Sequence, residues 1–394
     1  MHNVQLAKGV YYVGAVDWNL RDFHGYTTPG GVTYNSYLIV DEKVCLIDTV
    51  KAPFAQELLN RISSIIDPAK IDYVITNHIE PDHSSALPAV MARAPQAKVV
   101  LTEHGRTGII KHYQQNYDFQ VVKEGDILDL GQNKLHFVPV PMLHWPDSML
   151  CYLSEEQILF SNDAFGQHIS TTKRFDDEND LTAVIYEAEK YYANILMPFG
   201  KLVVKTLEKL KDLPVKLIAP SHGIVWRSHI ADILAKYQDW GQGKQTSKII
   251  IAYDSMWGST ERMARQVLEG VAAAGVTGKL YKLSTADRSE VVRDMLAAGG
   301  VLIGSSTLHN GMLPTVGALM LYLKGLRPAG KLGAAFGAYG WGGGAQKAIE
   351  ELLGSAGVVT EQSGLSLKWV PDAEEINKCF DFGHDFAKRV LARI

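Results

Sequence analysis

Six consecutive residues, His78-Ile79-Glu80-Pro81-Asp82-His83, put four potential metal ligands within reach of one another. Further along stand His144, Asp163 and His222, each just beyond an apolar run. Seven donors are too many for one ion and suit two. Four imidazoles and three carboxylates, without a thiolate, form a hard-to-borderline set that favours non-haem iron or manganese over a soft metal. The charge agrees: two ferrous ions are balanced by Glu80, Asp82, Asp163 and one hydroxide, a neutral sum that a partly buried site tolerates.

A second chemistry lies in the C-terminal half. The apolar run Ile249 to Tyr253 leads into Asp254-Ser255-Met256-Trp257-Gly258-Ser259-Thr260 and then a helical pattern. A hydroxyl- and glycine-bearing turn between strand and helix cradles a phosphate, because its N–H groups and the helix N-terminus supply the positive field. The loop contains neither a Gly-x-x-x-x-Gly-Lys run nor Gly-x-Gly-x-x-Gly, which disfavours a nucleoside triphosphate and a dinucleotide. Two later loops, Ser305-Ser306-Thr307-Leu308-His309-Asn310-Gly311 and Ala338-Tyr339-Gly340-Trp341-Gly342-Gly343-Gly344, also follow strands. Beyond the strand ends of a doubly wound sheet such loops converge, bringing polar atoms, aromatic faces and closely approaching backbone to one ligand.

The elements that must hold these residues fall into two rhythms. Up to about residue 245, short apolar or alternating runs read as strands: Tyr34 to Ile39, Val44 to Ile47, Tyr73 to Thr76, Lys98 to Thr102, Leu135 to Val140, Ile158 to Ser161 and Lys216 to Ala219. The candidate ligands stand on the loops that follow several of them. A helix from Ile230 to Trp240 runs into the polar, glycine-bearing stretch 241–246, which is the expected boundary between domains 1–246 and 247–394. From Lys248 onward strands and helices alternate strictly, which predicts a parallel sheet covered on both faces.

The first half resembles the metallo-β-lactamase fold, an αββα sandwich whose usual motif is His-x-His-x-Asp-His and which commonly binds zinc for hydrolysis. Here Glu80 stands in place of the second histidine. An added carboxylate weakens the Lewis acidity a hydrolytic zinc needs and favours iron and redox chemistry. With its flavodoxin-like second half the whole chain is similar to the flavodiiron proteins, or A-type flavoproteins. Met142 to Met149 and the loop Trp18 to Tyr26 look like further motif regions of that family. The resemblance implies one iron on residues matching His78, Glu80 and His144, a second on Asp82, His83 and His222, and Asp163 as the bridge. It implies His24 and a tyrosine of the Tyr191-Tyr192 pair, with Tyr192 expected, lining the gas pocket. It implies FMN with its phosphate at Ser255, Met256, Trp257, Gly258, Ser259 and Thr260. The isoalloxazine would then lie between Ser305, Ser306, Thr307 and Asn310 on one side and Tyr339, Gly340, Trp341, Gly342 and Gly343 on the other. Asp48, after Leu46-Ile47, is expected to support a ligand rather than to be one.

The implied activity is reduction of dioxygen to water, or of nitric oxide to nitrous oxide, with electrons relayed through FMN from rubredoxin or a reduced deazaflavin. A head-to-tail homodimer or a homotetramer is the implied assembly. The alternative reading is a zinc hydrolase fused to a flavodoxin domain, and another is an electron carrier with a docking module. Bulk features fit a globular protein: 394 residues, 46% hydrophobic and 21% charged. A net charge of -4 gives no reason to expect nucleic acid or an anionic membrane as partner. No secretory signal and no long apolar run is read, so a cytoplasmic location is expected. Cys45, Cys151 and Cys379 lie far apart without a Cys-x-x-Cys pair, against a disulfide framework, a cysteine metal site or a fused rubredoxin module.

Overall fold

The structure, a computed structural model, describes residues 4–394. The chain forms two compact units: residues through Tyr191 together with Lys201–Gln238, and Tyr192–Gly200 together with Asp239–Ile394.

In the first unit two sheets are stacked face to face. One has seven strands, in the order Val4–Ala7, Val10–Tyr12, Tyr37–Ile39, Val44–Ile47, Ile71–Ile75, Lys98–Leu101 and Phe119–Val121. The other has five: Ile127–Asp129, Lys134–Pro139, Met149–Leu153, Ile158–Asn162 and Leu217–Pro220. Side chains alternate between faces along each strand. Cys45, Ile47, Ile75 and Val100 therefore meet Phe137, Cys151, Leu153 and Phe160 of the facing sheet. Their neighbours Val44, Leu46, Val74 and Leu101 pack outward, with Leu58 and Ile62 of helix Ala55–Ser63 and with Val90 of helix Leu87–Arg93. Sheets sandwiched between helices give the expected αββα arrangement.

Strand positions follow the expectation with one break. The run read from Tyr34 to Ile39 is two strands, Val32–Tyr34 and Tyr37–Ile39. Asn35 leaves the ladder because its N–H donates to Ser221 O at 2.8 Å and its Nδ2 to Pro220 O at 2.8 Å. Ser36 Oγ donates to Asp48 O at 2.8 Å. This polar step ties the strand to the segment carrying His222.

The second unit has one parallel sheet, Thr277–Lys282, Thr246–Asp254, Ala298–Ser305, Leu332–Tyr339 and Leu365–Lys368. Its order by chain position is 2-1-3-4-5, the flavodoxin-like doubly wound arrangement. Helices Ser259–Ala273 and Ala373–Leu391 cross where both lack a side chain. A Cβ on Gly383 would stand 2.1 Å from Val267 O, and one on Gly270 would stand 2.0 Å from Phe380 O.

Candidate functional site

Seven residues from four segments converge at one edge of the sandwich, beyond the strand ends. His78 to His83 follow strand Ile71–Ile75, and Pro81 starts the short helix Pro81–Ser84 that turns Asp82 and His83 inward. The residues after strand Val44–Ile47 pin both ends of this run. Asp48 accepts from the N–H of Asn77 at 2.7 Å and from its Nδ2 at 3.0 Å, and Thr49 Oγ1 donates to His83 O at 2.7 Å. Cys151 Sγ donates to Asn77 Oδ1 at 2.9 Å, so the turn before His78 has its polar groups satisfied. Asp48 therefore supports the ligand run without joining it.

Two sets of donor atoms lie close enough to share ions: His78, His144 and Asp163, and Asp82, His83 and His222. Asp163 faces both. Its Oδ2 is 3.3 Å from His144 Nε2 and 3.9 Å from His78 Nε2, while its Oδ1 is 3.1 Å from His83 Nε2 and 3.6 Å from His222 Nε2. Glu80 Oε2 joins the first set, 3.3 Å from His78 Nε2 and 3.5 Å from His144 Nε2. Asp82 Oδ2 is 3.2 Å from His222 Nε2 in the second. Donors held by one ion at about 2.0–2.2 Å stand about 3–3.5 Å from each other, close to the spacing here.

The polar atoms themselves ask for cations. Both carboxylate oxygens of Asp82, both nitrogens of His83 and Oδ2 of Asp163 are buried without a hydrogen bond of good geometry. Each such atom left unpartnered costs about 1–3 kcal/mol. Two metal ions among them remove that cost, and the residues fit a dinuclear centre. The electrostatics agree. Burial pushes His78 down, yet its hydrogen bonds to Asp147 and Glu80 raise it to about 10. Burial likewise opposes charge on His83 and Asp163, but the Asp82 and Asp163 carboxylates lift His83 well above the ordinary range. His83 and His144 hold Asp163 well below the ordinary carboxylate range. The pocket stabilises positive charge at its centre.

Around this cluster the expectations hold unevenly. His24 sits at the turn of a small hairpin, 78% exposed, with Nε2 3.6 Å from Glu80 Oε1. Tyr192 requires a correction. It is Tyr191 whose hydroxyl donates to Asp163 Oδ1, at 3.0 Å, whereas the Tyr192 ring packs on Trp240 at 5.2 Å within the second unit. The helix Leu181–Tyr191 passes into a π turn, Tyr192–Leu196, which breaks the spacing from which one would choose between the two. His168 was not anticipated. It is fully buried, with its ring 4.8 Å from His222, 5.0 Å from Tyr191 and 5.1 Å from Phe23. Burial, then the charge of His222, keeps it well below the usual imidazole range, so it stays neutral. It lies in a loop without periodicity, which hid it.

In the second unit the three loops enclose a cleft of about 500 Å³, within the range of small-molecule sites. Met256, Trp257, Ser259, Ser306, Thr307, Asn310, Tyr339, Gly340, Trp341 and Gly342 line it. Ser255, Gly258, Thr260, Ser305 and Gly343 stand in the same three loops. Ser255 Oγ accepts from Gly258 N–H at 3.0 Å; Thr260 Oγ1 is bonded to Ser306 Oγ at 3.0 Å; Ser305 Oγ accepts from Leu313 N–H at 2.9 Å. His309, Ala338, Trp369 and Val370 complete the lining. Trp369 and Val370 follow the edge strand Leu365–Lys368, and position just beyond a parallel strand was the signal for them. The lining includes no Lys or Arg, so a phosphate would be met by hydroxyls and the N-terminus of helix Ser259–Ala273. Trp341 and Trp369, with ring centroids 6.1 Å apart, offer aromatic faces for a planar ring.

A dinuclear metal sandwich followed by a flavodoxin-like unit defines a class of two-cofactor redox proteins. Comparisons with known proteins agree. Residues 32–223 match the family model described as ODP family beta lactamase, and residues 251–383 match flavodoxin. The chain is 47% identical to a nitric oxide reductase of Moorella thermoacetica, over 98% of each chain. It is 39% identical to the rubredoxin-oxygen oxidoreductase of Megalodesulfovibrio gigas, over the full length of both. The crystal structure of the flavodiiron protein from Giardia intestinalis superposes with a TM-score of 0.96 at 37% identity, covering 100% of this chain and 97% of that one. The chain belongs to the flavodiiron proteins, whose cofactors are FMN and a non-haem diiron centre.

Proposed function

We infer that this chain is an oxidoreductase that reduces dioxygen to water, nitric oxide to nitrous oxide, or both, at the cluster around Asp163. The observation that carries this is the placement of Asp163, one oxygen toward His78 and His144 and the other toward His83 and His222, beside a glutamate where a hydrolase would have histidine. Two ferrous ions supply electrons and open positions for the gas, and FMN supplies electrons one or two at a time. In the proposed assignment His78, Glu80 and His144 would hold one ion and Asp82, His83 and His222 the other, with Asp163 shared between them.

The chain's own groups do the rest. Tyr191 fixes the Asp163 carboxylate by its hydrogen bond. His24, exposed and near Glu80, can deliver protons from solvent to the gas side. Neutral His168 with Phe23 walls the His222 side against water. In the cleft, the loop 255–260 with Ser259 at the helix N-terminus would hold the FMN phosphate, Ser306, Thr307 and Asn310 would flank its ring system, and Trp341 and Trp369 would face the ring.

A soluble electron donor reduces the flavin, and rubredoxin or a reduced deazaflavin is the proposed one. The working division is 1–246 for the diiron domain and 247–394 for the FMN domain. A head-to-tail homodimer, alone or paired into a tetramer, is the proposed assembly; Trp257 and Trp341, 92% and 90% exposed at the cleft rim, give it an apolar face. Sedimentation should show no monomer at working concentration. A cytoplasmic location is part of the proposal; among the described residues no helix is long and apolar enough to cross a membrane. The test of the activity is steady-state turnover with each gas and one chemically reduced donor, alongside metal analysis. Two irons per chain and consumption of a gas are expected; zinc without iron, and no gas consumption, would contradict it.

A further inference from the structure

Asp147 is buried, yet it stands outside the proposed ligand set. Its Oδ2 accepts from His78 Nδ1 at 3.0 Å and from the Ile79 N–H at 2.8 Å. Thr102 Oγ1 donates to its backbone carbonyl at 3.0 Å, which fixes it from a third segment. It also lies three residues after His144, so one short loop carries a ligand of the first set and the anion behind another. The remaining imidazoles have no such anion. His222 Nδ1 donates to the neutral Thr33 carbonyl at 2.6 Å. Among the described residues no carboxylate is paired with Nδ1 of His83 or His144.

A carboxylate behind a ligating imidazole fixes the tautomer that presents Nε2 to the metal, locks the ring's orientation and raises the basicity of the ligating nitrogen. We infer that Asp147 is a positioning residue that makes the His78-side iron more firmly held than the same ligands would hold it without that charge behind His78. This rests on reading the cluster as a diiron site and adds an inequivalence between its halves. His78, Glu80 and His144 form the half that the charge of Asp147 reinforces, while Asp82, His83 and His222 rely on their own donors.

The test is Asp147→Asn, which keeps an oxygen able to accept both hydrogen bonds and removes the charge. FMN-bound protein is loaded anaerobically with iron and challenged with a ferrous chelator. Mössbauer spectra identify the iron that leaves, with His144→Ala and His222→Ala as references for the two positions. Expected is about 10–100-fold weaker retention of the His78-side iron with the other held as in wild type, the range seen when such outer partners are removed. The iron-free variant should bind FMN and show the backbone circular dichroism of wild type. Unchanged retention, or parallel loss of both irons, would each overturn the inference. Wild-type protein that took up no iron would overturn the diiron reading itself, a result distinct from two irons held equally well in both proteins.

Discussion

At the scale of single residues, the account depends on a carboxylate with its two oxygens turned toward different imidazole pairs. Asp163→Asn replaces one of those anionic oxygens with an amide that cannot bridge. Iron content should fall from two per chain to one or fewer, and turnover with either gas by about 100-fold or more, while FMN content stays unchanged. Metal analysis beside turnover checks this. The cluster proposed as the ligand set was legible because its members are rare residue types crowded after strands, and their chemistry constrains them more than their local structure does. Residues chosen by ordinary packing were harder to read. Tyr191 and Tyr192 differ by one position, and a π turn decides which faces Asp163. Ser305 has the right hydroxyl at a strand end, but its Oγ serves the N–H of Leu313.

At the scale of elements, the alternating rhythm of the second half fixed its strands and helices, because period and length are visible in sequence. What sequence did not announce is where two elements touch backbone to backbone. Gly383→Val would drive a branched side chain into Val267 O, 2.1 Å from where its Cβ must stand. A loss of about 1–3 kcal/mol or more is expected in denaturant unfolding of the FMN domain, with iron content unaffected. Lys331, just before strand Leu332–Tyr339, is buried with Nζ donating to Leu296 O and Ala298 O, and burial lowers it to about 7. An unfolded lysine titrates near 10.4, so between about pH 7 and 10 the unfolded chain binds more protons and stability rises with pH. In Lys331→Met this contribution is absent. The stability of wild type relative to the variant should therefore increase from pH 7 to pH 10 in paired denaturant melts. A difference that shrinks or stays flat would contradict the burial of a charge at that position.

At the scale of the whole molecule, two units with separate cores carry two chemistries that make sense only in series. The flavin cleft collects electrons; the carboxylate–imidazole cluster spends them on a gas. Reduced flavin alone reacts with dioxygen, so nitric oxide is the cleaner probe of whether the two are joined. Holoprotein with FMN and two irons is reduced anaerobically and mixed with nitric oxide in a stopped-flow instrument, with nitrous oxide assayed in the same sample. Rapid return of the oxidised flavin spectrum with matching nitrous oxide is predicted for wild type, and a flavin that stays reduced is predicted for Asp163→Asn. An iron-replete wild type whose flavin stayed reduced under nitric oxide, and was reoxidised by dioxygen no faster than that of Asp163→Asn, would contradict the central claim.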